Sequence, residues 1–411
     1  MKSLAVLHAS QLVTLAGPRR PRVGAELSQL AIISNGGMLI RDGIIDLVGT
    51  SREIEQKAGE ADVIDARGKI VLPGFVDAHT HLVFGGNRLD DFERRARGDT
   101  YEQIAKAGGG IWSTVEKTRA ASEADLLVEA KKHADWFLSC GTTTVEAKSG
   151  YGLSLEDELK ILRVMKRLGE KTPLRIIPTF LGAHAIPREM HVDEYIDLVI
   201  GEMLPRITSD SLAEFCDVFC ERGYFDIEQS KQLLSAAKKH GLKLRIHADQ
   251  LSNSGAAKLA AELKAATADH LEKTDEVGIA ALKSGGVQPV LLPGSVYALG
   301  LNCYPRAREM IDAGLAVVIA TDFNPGSSPT SSMPMILSLS CTHMRMSPAE
   351  AISASTINPA YSLGRGDRMG SLEPGKLADF TMFDCKDYRE LAYWFGIPLI
   401  HAVYIHGKKS R

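Results

Sequence analysis

The stretch VLPGFVDAHTHLVFGGNR, residues 71–88, combines an apolar run, two histidines one residue apart and a Gly-Gly pair. An apolar run that ends in a polar, glycine-containing loop is typical of a buried strand. Because side chains alternate across a strand, His79 and His81 point the same way and two imidazoles can converge on one ion. The stretch therefore predicts a strand whose end carries a metal site.

The same rhythm of apolar strand, loop and amphipathic helix repeats from Ile70 onward, and such alternation favours parallel βα units. About eight strand-like runs end in polar or glycine-rich loops, the number that closes a (β/α) barrel. They are VLPGFVDAHTH, TTTVEAKSGYG, LRIIPTFLGAH, FCDVFCERGYF, LKLRIHADQ, ATADHLE, VQPVLLPGS and AVVIATDFNPG. Capping-box patterns that begin at Ser122 and Ser347 predict two of the intervening helices.

Both ends of the chain follow a different pattern. Before residue 70, short apolar segments alternate with Gly and Asp turn signals, which predicts short antiparallel strands. Short strand patterns return after about residue 365. The predicted fold is therefore α/β, a (β/α)8 TIM-like barrel over residues 70–364, with a small β-sandwich domain that residues 1–69 and 365–411 form together.

The composition narrows the function classes. A chain of 411 residues, 45% hydrophobic and 24% charged, is typical of a soluble globular enzyme. The formal net charge of -3 provides no basic field, so nucleic acid is not an expected partner. No stretch approaches the roughly 20 apolar residues of a membrane span. Polar residues, including His8, interrupt the first apolar segment, which favours an opening strand over a signal peptide.

The six cysteines are scattered through the chain, which indicates reduced thiols of a cytoplasmic protein rather than a disulfide framework. Cys216 and Cys220 alone lie close together. They could form half of a zinc site, but no second cysteine pair accompanies them.

Residue types that bind metals recur where the predicted strands end, and the active site of such a barrel lies at the C-terminal ends of its strands. These residues are His79, His81, His184, His247, His270 and Asp322. Each histidine alone could be a polar residue near a loop, but the set favours a metal site. Imidazole and carboxylate ligands suit zinc or iron, and the sequence does not choose between them.

The chain resembles the amidohydrolase superfamily nearly end to end, and seven motifs between residues 73 and 330 carry the resemblance. They are PGFVDAHTHLVFGGNR, GGGIWSTVEKTR, EAKSGYGL, FLGAHAIP, IHADQ, ADHLE and ATDFNPGSSPT. The resemblance implies a metal-dependent hydrolase with a (β/α) barrel beside a small β-sandwich. The motifs are most similar to those of the branch that opens 4-imidazolone-5-propanoate to N-formimidoyl-L-glutamate in histidine degradation.

The resemblance also implies roles for individual residues. The metal ligands would be His79, His81, His247 and Asp322, binding one ion of zinc or iron. The substrate contacts would be Arg88, Tyr151, His184, Gln250, Asn324, Gly326 and Ser327. The flanking glycines of Tyr151 further predict an exposed loop at that position.

The chemistry of ring opening agrees with these roles. Water must attack a cyclic amide carbonyl, so the reaction needs an activated water, a polarised oxygen and a proton for the departing nitrogen. We expect Asp322 to take the proton of the water and His270 to stabilise the oxyanion or to handle a proton, with the division between the two left open. A guanidinium can grip the propionate arm through two charge-assisted hydrogen bonds, which Arg88 would provide.

Two departures from other branches of the superfamily refine this interpretation. Binuclear members have a carboxylated lysine at the end of strand four, whereas here that strand ends FCERG and Lys148 ends strand two, so one metal ion is predicted. Deaminases have a glutamate where this chain has Gln250, whose amide cannot titrate. Another amidohydrolase, such as a cyclic amidase or nucleobase deaminase, stays an alternative, as does a non-catalytic binding module. We also expect a homodimer.

Overall fold

The computed structural model describes residues 3–100, 103–104 and 107–411. The strands, in chain order, are β1 Ser3–Val13, β2 Ile32–Arg41, β3 Ile44–Thr50, β4 Asp62–Asp65, β5 Ile70–Pro73, β6 Phe75–Asp77, β7 Thr142–Lys148, β8 Arg175–Ala183, β9 Phe215–Cys220, β10 Lys243–Ala248, β11 Thr267–His270, β12 Gln288–Leu291, β13 Val318–Ile319, β14 Phe380–Phe383, β15 Ile400–Ile405 and β16 Lys408–Lys409.

The α-helices of this part of the chain are α1 Ser51–Ala58, α2 Leu89–Ala96, α3 Ile111–Ala120, α4 Glu123–Ser139, α5 Leu155–Gly169, α6 Val192–Leu198, α7 Leu204–Ser209, α8 Ile227–Lys239, α9 Ala256–Leu263, α10 Glu276–Gly285, α11 Pro293–Ala298, α12 Ala307–Asp312, α13 Met333–His343, α14 Pro348–Ala354, α15 Ile357–Ser362 and α16 Glu390–Tyr393. None of these helices is long and apolar enough to cross a membrane.

Strands β6 to β13 form one parallel sheet in which each strand pairs with its neighbours in sequence. A parallel bridge between Thr80 and Phe323 joins the end of the first strand to the end of the last and closes the barrel. The predicted (β/α)8 barrel is confirmed, and its strands coincide with the runs that the sequence predicts. All the loops that follow these strands therefore gather at one end of the barrel.

The two helices predicted from capping boxes are also present. The Ser122 hydroxyl accepts a hydrogen bond from the Asp125 amide at 3.1 Å and opens α4. The Ser347 hydroxyl accepts one from the Glu350 amide and opens α14, with Pro348 at its first position. Such caps satisfy amide groups that the first helical turn leaves without partners.

The strands of both chain ends form a second, eight-stranded sheet, which confirms the predicted second unit. Its order is β16-β15-β14-β5-β1-β2-β3, and β4 also pairs with β1. The predicted antiparallel strands are present, since β2 pairs in this way with β1 and with β3, but β1 also pairs in parallel with both β4 and β5. The pairing of β1 with β2 shifts in register between Val6 and Ala9, where His8 has a φ of +62°. The part of β1 before the shift pairs with β4, and the part after it pairs with β5.

The apolar run at residues 70–77 belongs to both sheets. Ile70–Pro73 pairs with the chain-end sheet, whereas Phe75–Asp77 pairs with β7 of the barrel. Gly74 lies between them, and a Cβ atom there would stand 2.2 Å from the side chain of Thr143. Only glycine allows this close passage from one sheet to the next. The division of the chain into residues 1–69, 70–364 and 365–411 stays a prediction.

Candidate metal centre and active-site cavity

The candidate metal ligands converge at the C-terminal end of the barrel. Nε2 of His79 lies 3.5 Å from Oδ1 of Asp322, and Nε2 of His81 lies 3.7 Å from the same oxygen. The ring centroids of His79 and His247 are 4.6 Å apart. Potential ligand atoms of His79, His81 and His247 all lie within 4.8 Å of one another, as do those of His79, His270 and Asp322. All five side chains are buried.

The chemistry of these side chains fits a metal ion. Nε2 of His79 is buried and has no hydrogen-bond partner in the described part of the chain, while its Nδ1 lies 2.6 Å from Oδ2 of Asp269. Burial, with Lys148 nearby, holds the pKa of His79 well below its usual range, and burial beside His184 does the same for the pKa of His81. The two imidazoles are therefore neutral, the form that binds metals.

Two buried carboxylates that the sequence analysis did not identify contact the histidines from behind. Oδ2 of Asp269 faces His79, and Oδ2 of Asp217 lies 3.1 Å from Nδ1 of His247. A carboxylate at Nδ1 fixes the ring orientation and leaves Nε2 for a ligand. Each aspartate stands inside a barrel strand, in the runs FCDVFC and TADH, where a charged residue is unusual. A charged residue inside a strand pattern was therefore the sequence signal by which both aspartates could have been identified.

The proposed catalytic pair lies beside this cluster. Burial raises the pKa of Asp322 to about 6. Burial alone would lower the pKa of His270, but Glu272, whose Oε1 lies 3.3 Å from Nδ1, raises that pKa above its usual value. His270 has a φ of +81° and Asp322 a φ of +54°. Such backbone conformations cost free energy in non-glycine residues and are concentrated at functional sites.

A cavity of about 500 Å³ opens over the cluster. All seven residues predicted to contact substrate line it, namely Arg88, Tyr151, His184, Gln250, Asn324, Gly326 and Ser327. His81, His247, His270 and Asp322 line the same cavity. The structure therefore brings together residues that are up to about 250 positions apart in the sequence, through the common end of a parallel barrel.

Arg88 lies at the start of α2, half-buried at the mouth of this cavity. Its Nε donates a hydrogen bond to the Thr114 hydroxyl on α3 at 2.7 Å. A Cβ atom at Gly326 would stand 2.1 Å from Nη1 of Arg88, so a larger residue there would displace the guanidinium from this position. Nε is thus occupied by Thr114, and no hydrogen bond from the Nη atoms to a described residue is found.

The loop from Asn324 to Ser327 is held by the Asn324 amide. Its Oδ1 accepts hydrogen bonds from the backbone amides of Gly326 and Ser327 at 2.8 and 2.7 Å. Its Nδ2 donates to the Asp322 carbonyl at 2.7 Å. Asn324 therefore shapes the loop that presents Gly326 and Ser327 to the cavity, besides lining it.

The expectation of an exposed loop around Tyr151 is wrong. The tyrosine is only 2% exposed, and its flanking glycines are buried too. Gly150, with a φ of +109°, places its carbonyl 3.0 Å from Nδ1 of His184. The His184 ring stacks on His81 at 5.0 Å, and burial lowers its pKa to about 3. The rings of His81 and His184 therefore form part of the cavity wall and are uncharged at neutral pH.

Two further residues of the cavity wall were missed. Arg95 donates hydrogen bonds to the carbonyls of Ala298 and Gly326 at 3.0 and 3.2 Å. Asp91 accepts one from the Gly110 amide at 2.8 Å. The spacing i, i+3, i+7 is typical of one helix face, and it relates Asp91 and Arg95 to Arg88. This spacing was the sequence signal that could have identified Asp91 and Arg95 as residues of the cavity wall.

Neither Glu221 nor the cysteine pair belongs to the histidine and aspartate cluster. At the end of strand four, Glu221 accepts a hydrogen bond from the Leu251 amide at 2.8 Å and anchors the loop after Gln250. All six cysteines are free thiols. Cys216 and Cys220 belong to no group of three potential metal ligands in residues 3–100, 103–104 and 107–411.

Comparison with known proteins gives concordant results. Residues 70–409 match the model of the amidohydrolase family. The chain is 58% identical to an imidazolonepropionase of Solibacter usitatus, over 99% of this chain and 98% of the relative. It is 49% identical to an imidazolonepropionase of Geobacillus kaustophilus, with the same coverage.

Solved structures share the fold at low sequence identity. An adenosine deaminase from Xanthomonas campestris with bound zinc has a TM-score of 0.76 at 18% identity, covering 99% of this chain and 92% of that one. A 5-methylcytosine deaminase from Klebsiella pneumoniae has a TM-score of 0.75 at 18% identity, covering 98% of this chain and 96% of that one. At this identity, the likeness concerns the fold alone.

Proposed function

This chain belongs to the amidohydrolase family, within which its relatives at 43–58% identity are imidazolonepropionases, and we propose that it hydrolyses the ring amide of 4-imidazolone-5-propanoate. The product is N-formimidoyl-L-glutamate. The observation that carries the proposal is that one cavity is lined both by the histidine and aspartate cluster and by the half-buried guanidinium of Arg88. A cluster of this kind suits hydrolysis, and the guanidinium suits an acidic substrate.

We propose that His79, His81, His247 and Asp322 hold one metal ion, zinc or iron. Three neutral imidazoles and one carboxylate are an acceptable donor set for either metal. The bound ion would polarise the amide carbonyl and lower the pKa of the attacking water. Asp269 and Asp217 support this assignment, because each contacts the Nδ1 of a proposed ligand.

The reaction adds water to the ring carbonyl carbon and breaks its bond to nitrogen. Asp322 would accept the proton of the water, because its carboxylate lies among the side chains that would hold the ion, within 3.7 Å of His79 and His81. The departing nitrogen takes up one proton and stays in the formimidoyl group. His270, held by Glu272, stabilises the oxyanion or carries that proton.

Substrate recognition divides between the two ends of the cavity. Arg88 binds the propionate carboxylate with its Nη atoms, because Nε already donates to Thr114. The imidazolone ring lies against the cavity walls near the metal ligands. The proposed ring contacts are Tyr151, His184, Gln250, Asn324, Gly326 and Ser327. Gln250 can hydrogen-bond the ring but cannot shuttle a proton as a glutamate would.

A substrate panel tests the proposal. Purified protein loaded with zinc or iron is assayed on 4-imidazolone-5-propanoate, hydantoin and cytosine. We expect turnover of the first compound and none of the other two at matched concentration. Turnover of hydantoin or cytosine alone would favour a cyclic amidase or a deaminase. Absence of metal binding and of any turnover would favour a binding module.

We further propose that the protein acts as a cytoplasmic homodimer whose partner is a small-molecule substrate, without nucleic acid or membrane. Size-exclusion chromatography with light scattering measures the oligomeric state. A monomer at micromolar concentration would contradict the proposed dimer and leave the proposed reaction untouched.

A further inference from the structure

Lys148, at the end of β7, is fully buried next to the proposed metal ligands. Its Nζ donates a hydrogen bond to Oε1 of Glu146 at 2.9 Å and to Oδ2 of Asp217 at 2.7 Å. It also lies 3.5 Å from Oδ2 of Asp269. A lysine without exposed surface needs such partners, because an isolated ammonium is expensive to bury.

The carboxylate oxygens that contact Lys148 are the same atoms that contact the histidines. Oδ2 of Asp217 lies 3.1 Å from Nδ1 of His247, and Oδ2 of Asp269 lies 2.6 Å from Nδ1 of His79. One ammonium group thus connects the two oxygens that orient two of the proposed metal ligands. His79 follows β6 and His247 lies in β10, and these two strands are not neighbours in the barrel.

We propose that Lys148 is a positioning residue of the metal centre. It restrains the Asp217 oxygen that faces His247, since Oδ1 of Asp217 already accepts from the Val218 and His247 amides, and it adds to Arg245 at Asp269. These carboxylates in turn restrain the rings of His247 and His79 as ligands of one ion. Arg245 supports only one side of this arrangement by direct contact, since its Nη2 lies 3.4 Å from Asp269. Lys148 alone contacts both carboxylates among the described lysines and arginines.

The alternative role for Lys148 is to neutralise buried acids without affecting the ligands. The two roles predict opposite changes in metal affinity. A lysine that only contributes positive charge repels a cation, so its removal would strengthen metal binding. A lysine that orients the ligands would weaken metal binding when removed, because loss of an outer partner of a metal ligand costs about 10- to 100-fold in affinity.

The double variant Lys148→Met/Glu146→Gln separates these possibilities. It removes one positive and one negative charge, so the net charge of the site is unchanged. Glu146 contacts Lys148, Arg245 and the Thr80 amide but neither His79 nor His247. The zinc dissociation constant is measured by competition with a chromophoric chelator. We expect it to rise at least about tenfold, and the ligand-field spectrum of the Co²⁺-loaded protein to change.

Lys376→Met provides the matched control. Lys376 is also buried, at 8% exposure, and donates hydrogen bonds to the Gly366 carbonyl and the Ser371 hydroxyl at 2.6 and 2.7 Å. It contacts none of the proposed ligands. We expect a lower Tm with the zinc dissociation constant and the Co²⁺ spectrum of the parent.

This inference rests on the proposed metal centre but not on the identity of the substrate. A parent protein that binds no zinc would refute the metal centre itself. A parent that binds zinc, with a double variant whose dissociation constant rises less than about tenfold or falls, would overturn the role of Lys148 alone. If the double variant does not fold, Lys148→Met alone is measured, and a zinc dissociation constant that is unchanged or falls would overturn the role of Lys148.

Discussion

Replacement of Arg88 by methionine tests how the cavity selects its substrate. The Nε atom of Arg88 is held by Thr114, so two Nη atoms can form charge-assisted hydrogen bonds with the propionate. Such bonds contribute about 1.5 to 3 kcal/mol each. Because Arg88 is half-buried, we reduce the sum to roughly 3 kcal/mol. About 1.4 kcal/mol corresponds to tenfold, so kcat/KM should fall on the order of 10²-fold.

The assay compares kcat/KM for 4-imidazolone-5-propanoate with that for its propanamide analogue. The parent should prefer the carboxylate, and Arg88→Met should lose this preference. Arg88→Lys keeps the charge but not the planar fork, so its loss should be on the order of tenfold. Arg97→Met is the matched control, since Arg97 lies at the end of the same helix, is 74% exposed and pairs with Glu93 outside the cavity. An Arg88→Met enzyme within about threefold of the parent would refute the reasoning.

Three further predictions concern the metal and the catalytic pair. Removal of the metal by a chelator should abolish turnover and lower the Tm, and added zinc or iron should restore both. Turnover by protein that elemental analysis shows to be metal-free would contradict the proposed metal centre. Asp322→Asn should reduce kcat on the order of 10³-fold, with the mutant metal-loaded as checked by elemental analysis. Glu272→Gln should lower the pKa of His270, because the carboxylate that raises this pKa is gone. The limb of the pH profile of kcat/KM that reports His270 should then move to lower pH. An unshifted pH profile would exclude His270 as the group whose titration produces that limb.

The barrel was predictable because each strand is a short apolar run that ends in polar residues. The change of sheet at Gly74 was not, because apolar residues continue on both sides of Pro73 and Gly74 and hydrophobicity does not distinguish the two strands. The parallel partners of β1 were missed for a similar reason. Pairing direction depends on where distant segments return, and alternation within a segment does not contain that information.

For the candidate site, the sequence predicted the proposed ligands and substrate contacts, but neither the residues that support them nor Asp91 and Arg95 of the cavity wall. His79 and Asp322 stand in polar loop motifs, which attract attention. Asp217 and Lys148 stand within or at the end of buried strands, and their contacts join elements that are 69 residues apart. Only the closed barrel shows that their charges meet. Tyr151 illustrates the reverse error, since flanking glycines indicate conformational freedom but not exposure.

The proposed reaction is the opening of the ring amide of an acidic imidazolone by water. Its most direct test is turnover of 4-imidazolone-5-propanoate in ¹⁸O-labelled water by the metal-loaded protein, with mass spectrometry of the product. We predict N-formimidoyl-L-glutamate with a single labelled oxygen in its α-carboxylate, since that carbon was the ring carbonyl. Release of ammonia from the ring, or no product at an enzyme concentration that binds stoichiometric metal, would contradict the account.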